Sequence, residues 1–412
     1  MMPVMPLPRE FMLVAACCRW PLSEAAIAGV REHAAGAIDW AYVMRIVRRQ
    51  RVAGLAHNAL VTAKVTLPAP IARELAAQAE QIAHRNLALA AETVRLQRAF
   101  AAAGIPSIVL KGIALAQLAY GSLTLKHSKD IDLLVPREKA QDALCMLEDD
   151  GYALVQPARQ LSDRQRAAAL RYGVEFLLKN RRRNLDVELR WRLTDNSLLL
   201  AGADPWSPTQ DVGLSNSLAT RTLADEFLFA YLCVHGAGHG WSRLKWLADL
   251  NALMARKGEA DIERLYRYAE ATGAGVCAGQ ALLLCEQVLL ARLPGRLARD
   301  LQGSRRLQIL TAMAMDAMTG PDCVTEIESR PFGSTRINLM QFLLGKSWRH
   351  LAAQCRVVSV RLGDTILYPL PLPLHFLYPI LRLPLWLWRR THWAFAPKLT
   401  KGLTKADSAA RD

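Results

Sequence analysis

The segment Lys129-Asp130-Ile131-Asp132-Leu133-Leu134-Val135 constrains this chain more than any other. A short apolar run of this kind reads as a buried strand, yet two carboxylates interrupt it. Residues two apart in a strand face the same side, so Asp130 and Asp132 project together while Ile131 and Leu133 face a core. Carboxylates held so close repel each other, and burying one without a counter-charge is costly. A divalent cation such as Mg²⁺ resolves this, because it takes carboxylate oxygens together with substrate phosphates. Leu185-Asp186-Val187-Glu188-Leu189 repeats the alternation and sets Asp186 and Glu188 on one face of a further strand. Either of them completes a three-carboxylate site, of the kind that supports in-line displacement at phosphorus.

Upstream lies Val109-Leu110-Lys111-Gly112-Ile113-Ala114-Leu115. A strand running into Lys111-Gly112 at a helix start presents backbone N–H groups and the positive end of a helix dipole, which together make a phosphate site. Lys126 and Lys129, in Lys126-His127-Ser128-Lys129, add cations just before the carboxylates.

The surroundings read as α+β, a small mixed β-sheet embedded in a largely helical chain. Region 1–103 is helical, with Ser23 as an N-cap ahead of Glu24 and an unbroken Ala- and Leu-rich stretch from Pro70 to about Ala103. Region 104–200 is the core: strands at Ile108–Leu110, Ile131–Val135, Tyr152–Val155, Val174–Leu178 and Leu185–Leu189, and a helix opened by Pro136 that stops at Asp149-Asp150-Gly151. The basic stretch Lys179–Asn184 is a hairpin turn. Region 201–300 is a helical domain expected to close a cleft. Region 301–412 is helical to about 318, then loop-rich, with a Pro-rich apolar stretch at 366–388.

That stretch is long enough to span a bilayer, but Pro369, Pro371, Pro373, Pro379 and Pro384 interrupt it. An extended segment packed over the surface is expected instead. Trp386, Trp388 and Trp393 beside Arg389-Arg390 leave peripheral membrane contact as a candidate role.

The chain has 412 residues, 52% hydrophobic and 22% charged, which describes a folded protein with a sizeable core. Its net charge of +15 suits a polyanionic partner. The eight cysteines form no CxxC pair, so neither a zinc nor a disulfide framework is supported, and the N-terminus lacks the basic segment of a secretory signal; a cytoplasmic setting follows as the expectation. His235 and His239 stand four apart on one helical face, but His-Gly-Ala-Gly-His lacks the Glu of a zinc-protease helix. Asp249 is expected to pair with a neighbouring Arg or His, with Arg243 the candidate.

Leu110-Lys111-Gly112-x-Ala114-Leu115, then Lys126 and Ser128 before Asp130-Ile131-Asp132-Leu133-Leu134-Val135, resembles the uncharacterised nucleotidyltransferase family of the polymerase-β superfamily. More distantly it is similar to AbiEii-type toxin nucleotidyltransferases. Val187-Glu188-Leu189-Arg190-Trp191 matches that family's hydrophobic-acid-hydrophobic-His-Trp strand, with Arg190 in the His position. His235, His239, Trp241, Arg243, Trp246 and Asp249 resemble its downstream helical pattern. The resemblance implies that Asp130, Asp132 and Glu188 bind Mg²⁺ or Mn²⁺, with Asp186 the reserve acid. It implies that Lys111, Gly112, Lys126, Ser128 and Lys129 hold the nucleotide, and that Arg190, His235, His239, Arg243 and Asp249 line the acceptor side or cleft.

The expected reaction moves a nucleoside monophosphate from an NTP, the co-substrate, to a hydroxyl or similar nucleophile on a small-molecule, peptide or saccharide acceptor. Two alternatives stand beside it: a toxin-like enzyme acting on tRNA, and a catalytically weak nucleotide-binding scaffold.

Overall fold

The computed structural model describes residues 7–157, 160–215, 218–368, 370–382 and 384. The chain divides into two compact units, one drawn from Met1–Val94, Leu110–Lys129 and Leu199–Lys346, the other from Arg95–Val109, Asp130–Leu198 and Ser347–Asp412.

The second unit carries the carboxylate strands. These are β1 (Ile108–Val109), β2 (Ile131–Leu134), β3 (Ala153–Gln156), β4 (Glu175–Asn180) and β5 (Leu185–Arg190), in the order β3-β4-β5-β2-β1. β2 runs parallel to β5 and every other pairing among the five is antiparallel, so this part of the sheet is mixed, as the sequence indicated. β5 alternates buried Leu185, Val187 and Leu189 with half-buried Asp186, Glu188 and Arg190, so one face feeds the core while the other carries polar groups. Pro136 precedes a 3₁₀ turn, Arg137–Lys139, that leads into the Ala140–Asp149 helix; Gly151 then reverses the chain at φ 83°. The fold class is α+β.

The first unit is built mainly of helices. The Ser23 hydroxyl accepts from the Ala26 N–H and caps Glu24–Ala34. The Ala- and Leu-rich stretch forms one helix, Ala69–Ala102, whose later residues belong to the second unit. The Gly275–Leu289 helix is apolar nearly all round and buried, as is Asp225–Gly238.

Three expectations are corrected. The stretch after residue 201 is not all helical: β6 (Thr209–Ser215) and β7 (Leu218–Leu223) form an antiparallel hairpin in the first unit. β6 is Thr-Gln-Asp-Val-Gly-Leu-Ser with only Val212 buried, so it lacks the apolar alternation that marks a strand. The chain beyond residue 318 is not loop-rich, because Gly333–Leu343, Trp348–Ser359 and Leu362–Leu367 are helices. The stretch from 366 is not extended either: Leu372–Leu377 is a 3₁₀ turn with proline at its start, where the missing N–H costs nothing. Residues 385–388 of that stretch, with Trp386, Trp388, Trp393, Arg389 and Arg390, lie outside the described residues. Among the described residues no helix is long and apolar enough to cross a membrane. All eight cysteines are free thiols.

Candidate active site

Strand register builds the acidic cluster. The parallel β2–β5 pairing sets Asp132 directly beside Glu188, and Asp130 precedes Asp132 by one strand repeat. Each of Asp130, Asp132 and Glu188 offers a carboxylate oxygen, and these three oxygens lie within 4.8 Å of one another. Asp132 is buried at 1% exposure. Asp186 does not join the cluster: it faces Lys179 across the hairpin, with Lys179 Nζ 3.5 Å from Oδ1. The third acid is therefore Glu188.

Arg190 balances this charge. Its Nη2 is 2.8 Å from Glu188 Oε2, its Nε is 3.5 Å from Asp132 Oδ1, and Nη2 also pairs with Glu175. Sequence reasoning placed Arg190 on the acceptor side and missed Glu175. The signal was available, because the Lys179–Asn184 hairpin pairs Glu175 with Arg190 in register.

A hard cation fits this donor set. The cluster offers carboxylate oxygens and neither thiolate nor imidazole, the preference of Mg²⁺ and Mn²⁺ rather than of zinc.

The remaining expected residues lie in the first unit. Gly112 takes φ 63°, a conformation that favours glycine, and caps the Ile113–Tyr120 helix with no side-chain hydrogen bond. Lys111 precedes it. Lys126 and Ser128 are buried and Lys129 is half-buried. Lys126 Nζ lies 3.2 Å from Asp249 Oδ2, and the Tyr120 hydroxyl donates to Asp249 Oδ1 at 3.0 Å. This corrects the expected partner of Asp249: Arg243 instead reaches Glu326 Oε1 at 3.2 Å, beside the buried Arg49 on the same carboxylate. Burial holds Arg49 down at about 10 against the pull of Glu326. His235 and His239 meet edge to face with ring centroids 4.7 Å apart, and His239 stacks on Trp246 at 4.9 Å. They make an aromatic cluster, and they belong to none of the metal-ligand groups among the described residues.

A family model described as an uncharacterised nucleotidyltransferase matches residues 36–290. No curated protein matches the chain.

Proposed function

Because the chain belongs to the uncharacterised nucleotidyltransferase family, and is thereby a transferase of nucleotidyl groups, we propose that it moves a nucleoside monophosphate from an NTP to a hydroxyl on a small-molecule, peptide or saccharide acceptor. The observation that supports this reading is the cluster of Asp130, Asp132 and Glu188, with Asp132 and Glu188 side by side in register.

In this reading Asp130, Asp132 and Glu188 hold Mg²⁺ or Mn²⁺. Bound there, the cation offsets charge on the transferring phosphoryl group and acidifies the attacking hydroxyl. Glu188 takes the acceptor proton as the O–P bond forms and pyrophosphate leaves. Arg190 keeps Glu188 and Asp132 in place and spreads their charge. Lys111, the N–H groups at Gly112 and its helix start, Ser128 and Lys129 take the role of nucleotide-phosphate ligands.

The test is incubation with each labelled NTP, Mg²⁺ or Mn²⁺, and cell extract, followed by fractionation into protein, RNA and small molecules. Label in a small-molecule, saccharide or peptide fraction, lost in Asp132→Asn with the fold intact, is the expected result. Label in RNA would favour the tRNA-directed alternative, and no transfer with any NTP would sink the reading. Asp132→Asn should lower the rate by roughly 10²-fold or more, the scale seen when one charge-stabilising group is removed from an active site.

A further inference from the structure

The C-terminal segment of the second unit is pinned to the Asp163–Tyr172 helix of the same unit. The Gln165 side-chain amide donates to the Ile366 carbonyl at 2.8 Å. The Tyr172 hydroxyl pairs with His375 Nδ1 at 2.5 Å, and the two rings lie 5.4 Å apart. Between these two anchors the chain leaves the Leu362–Leu367 helix and enters the 3₁₀ turn Leu372–Leu377.

The polar groups of this segment point inward and satisfy one another. His375 Nε2 donates to the Leu370 carbonyl at 2.9 Å. The Tyr378 hydroxyl donates to the Tyr368 carbonyl at 2.9 Å and accepts from the Leu370 N–H at 3.0 Å, and Tyr378 is buried. What faces outward is apolar. Leu374 is 40% exposed, Phe376 and Ile380 are each 66% exposed, and Pro371, Pro373 and Pro379 are exposed beside them. Proline has no N–H to strand away from water.

This arrangement inverts a water-facing surface, and an apolar patch of this kind marks a binding face. The charge of the chain around it selects the partner. Between Asp364 and Asp407 the sequence has no acidic residue, while Arg389, Arg390, Lys398, Lys401 and Lys405 follow the patch with Trp386, Trp388 and Trp393 among them. Tryptophan favours the headgroup level of a bilayer, and each cation there is attracted to anionic lipid. A second copy in a two-fold contact would instead bring two such basic stretches together. We propose that the face of Leu374, Phe376 and Ile380, with the basic, Trp-rich sequence that follows it, docks the protein on an anionic lipid surface. Apolar insertion and basic attraction supply the two signals that stable anchoring needs. The prolines break any spanning helix, so the segment lies on the bilayer. The docking is independent of the transfer reaction proposed above.

Flotation of the full chain with phosphatidylcholine vesicles, with and without about one-quarter phosphatidylserine, tests this. Wild type should float with the phosphatidylserine vesicles and several-fold less with phosphatidylcholine alone, and the difference should shrink as salt rises. Phe376→Ser with Ile380→Ser, at unchanged circular dichroism, should bind both vesicles at least about tenfold more weakly, because two large apolar side chains no longer leave water. Arg389→Gln with Arg390→Gln should weaken binding to the phosphatidylserine vesicles about tenfold or more and leave binding to phosphatidylcholine unchanged. Val61→Ser is the control, at a valine 61% exposed on the Ala53–Thr62 helix of the first unit, and should bind as wild type does.

Failure of wild type to float with either vesicle would overturn the proposal, and so would wild-type affinity in either double variant. An equal loss in Val61→Ser would overturn it too, by showing that apolar exposure anywhere on the chain suffices. A dimer seen by light scattering, dissolved by Phe376→Ser with Ile380→Ser and unaccompanied by vesicle binding, would assign the face to a second copy of the chain instead.

Discussion

The Arg190 guanidinium stands 2.8 Å from Glu188, two residues back on the same strand, and the same nitrogen pairs with Glu175 on the neighbouring strand. A third carboxylate, Asp132, lies 3.5 Å from Nε. The Arg190 guanidinium thus offsets charge in a cluster that strand register makes acidic.

Replacing that cation should expose the repulsion. Arg190→Met leaves Asp132, Glu175 and Glu188 without their guanidinium, and removing one partner of a buried ion pair costs about 3–5 kcal/mol. Added Mg²⁺ should then raise the melting temperature of the variant by more than it raises that of wild type, because binding to the native state stabilises by mass action. Thermal melts across a Mg²⁺ titration measure this. An equal response in both proteins would argue against the carboxylates as a cation site.

How much of this was legible depends on what each residue signals. Asp130 and Asp132 were readable because a carboxylate inside an apolar strand is costly and period-two spacing fixes its face. Alternation alone could not separate Glu188 from Asp186, since the two share a face; the family resemblance favoured Glu188, and the parallel β2–β5 register sets it beside Asp132. The partner of Asp249 was unreadable: Lys126 is far from it in sequence, while the nearer Arg243 is drawn to Glu326. The Asp163–Tyr172 helix carried a readable capping box, Ser162 with Gln165, that the strand pattern around it obscured. β6 carried no such signal, because its polar side chains leave one buried valine to mark it.

Asp150 ties the start of the second unit to its hairpin. Burial opposes its charge, but hydrogen bonds from Arg183, at 2.8 Å, and from Arg95 hold its carboxyl below the usual range. A depressed carboxylate stabilises the fold fully above its unfolded value near 4, and the contribution is lost as pH falls through the folded value. Asp150→Asn should therefore melt earlier at pH 7, by about 1 kcal/mol for a partly exposed pair. The difference should close in strong acid, and melts from pH 7 to 2 check it.

His127 predicts a second, separate acid dependence. Burial first, then Lys245, Arg51, Lys126 and Arg85, place its folded value at about 3, against roughly 6.5 in the unfolded chain. The unfolded chain then binds the extra proton, so stability is complete above pH 6.5 and declines as pH falls toward about 3. The slope from one group is at most about 1.4 kcal/mol per pH unit. His127→Gln should flatten the melting-temperature profile in that window, and a profile as steep as wild type would show that other groups carry it.

Lys126 and Asp249 offer the sharpest energetic test of the loop at residues 122–129. Both side chains are about 8% exposed, and the pair is 3.2 Å apart. Asp249 also accepts from Tyr120, so its two oxygens are committed to two buried groups. Asp249→Leu strands an ammonium and a phenol hydroxyl, and Lys126→Met strands a carboxylate, so each alone should cost about 3–5 kcal/mol. Replacing both removes the charges together with their desolvation cost. The double variant should therefore be more stable than the sum of the single losses, with a coupling of about 1 kcal/mol or more for residues in contact. Urea melts of the four proteins give the coupling, and strict additivity would show that the pair does not hold the loop.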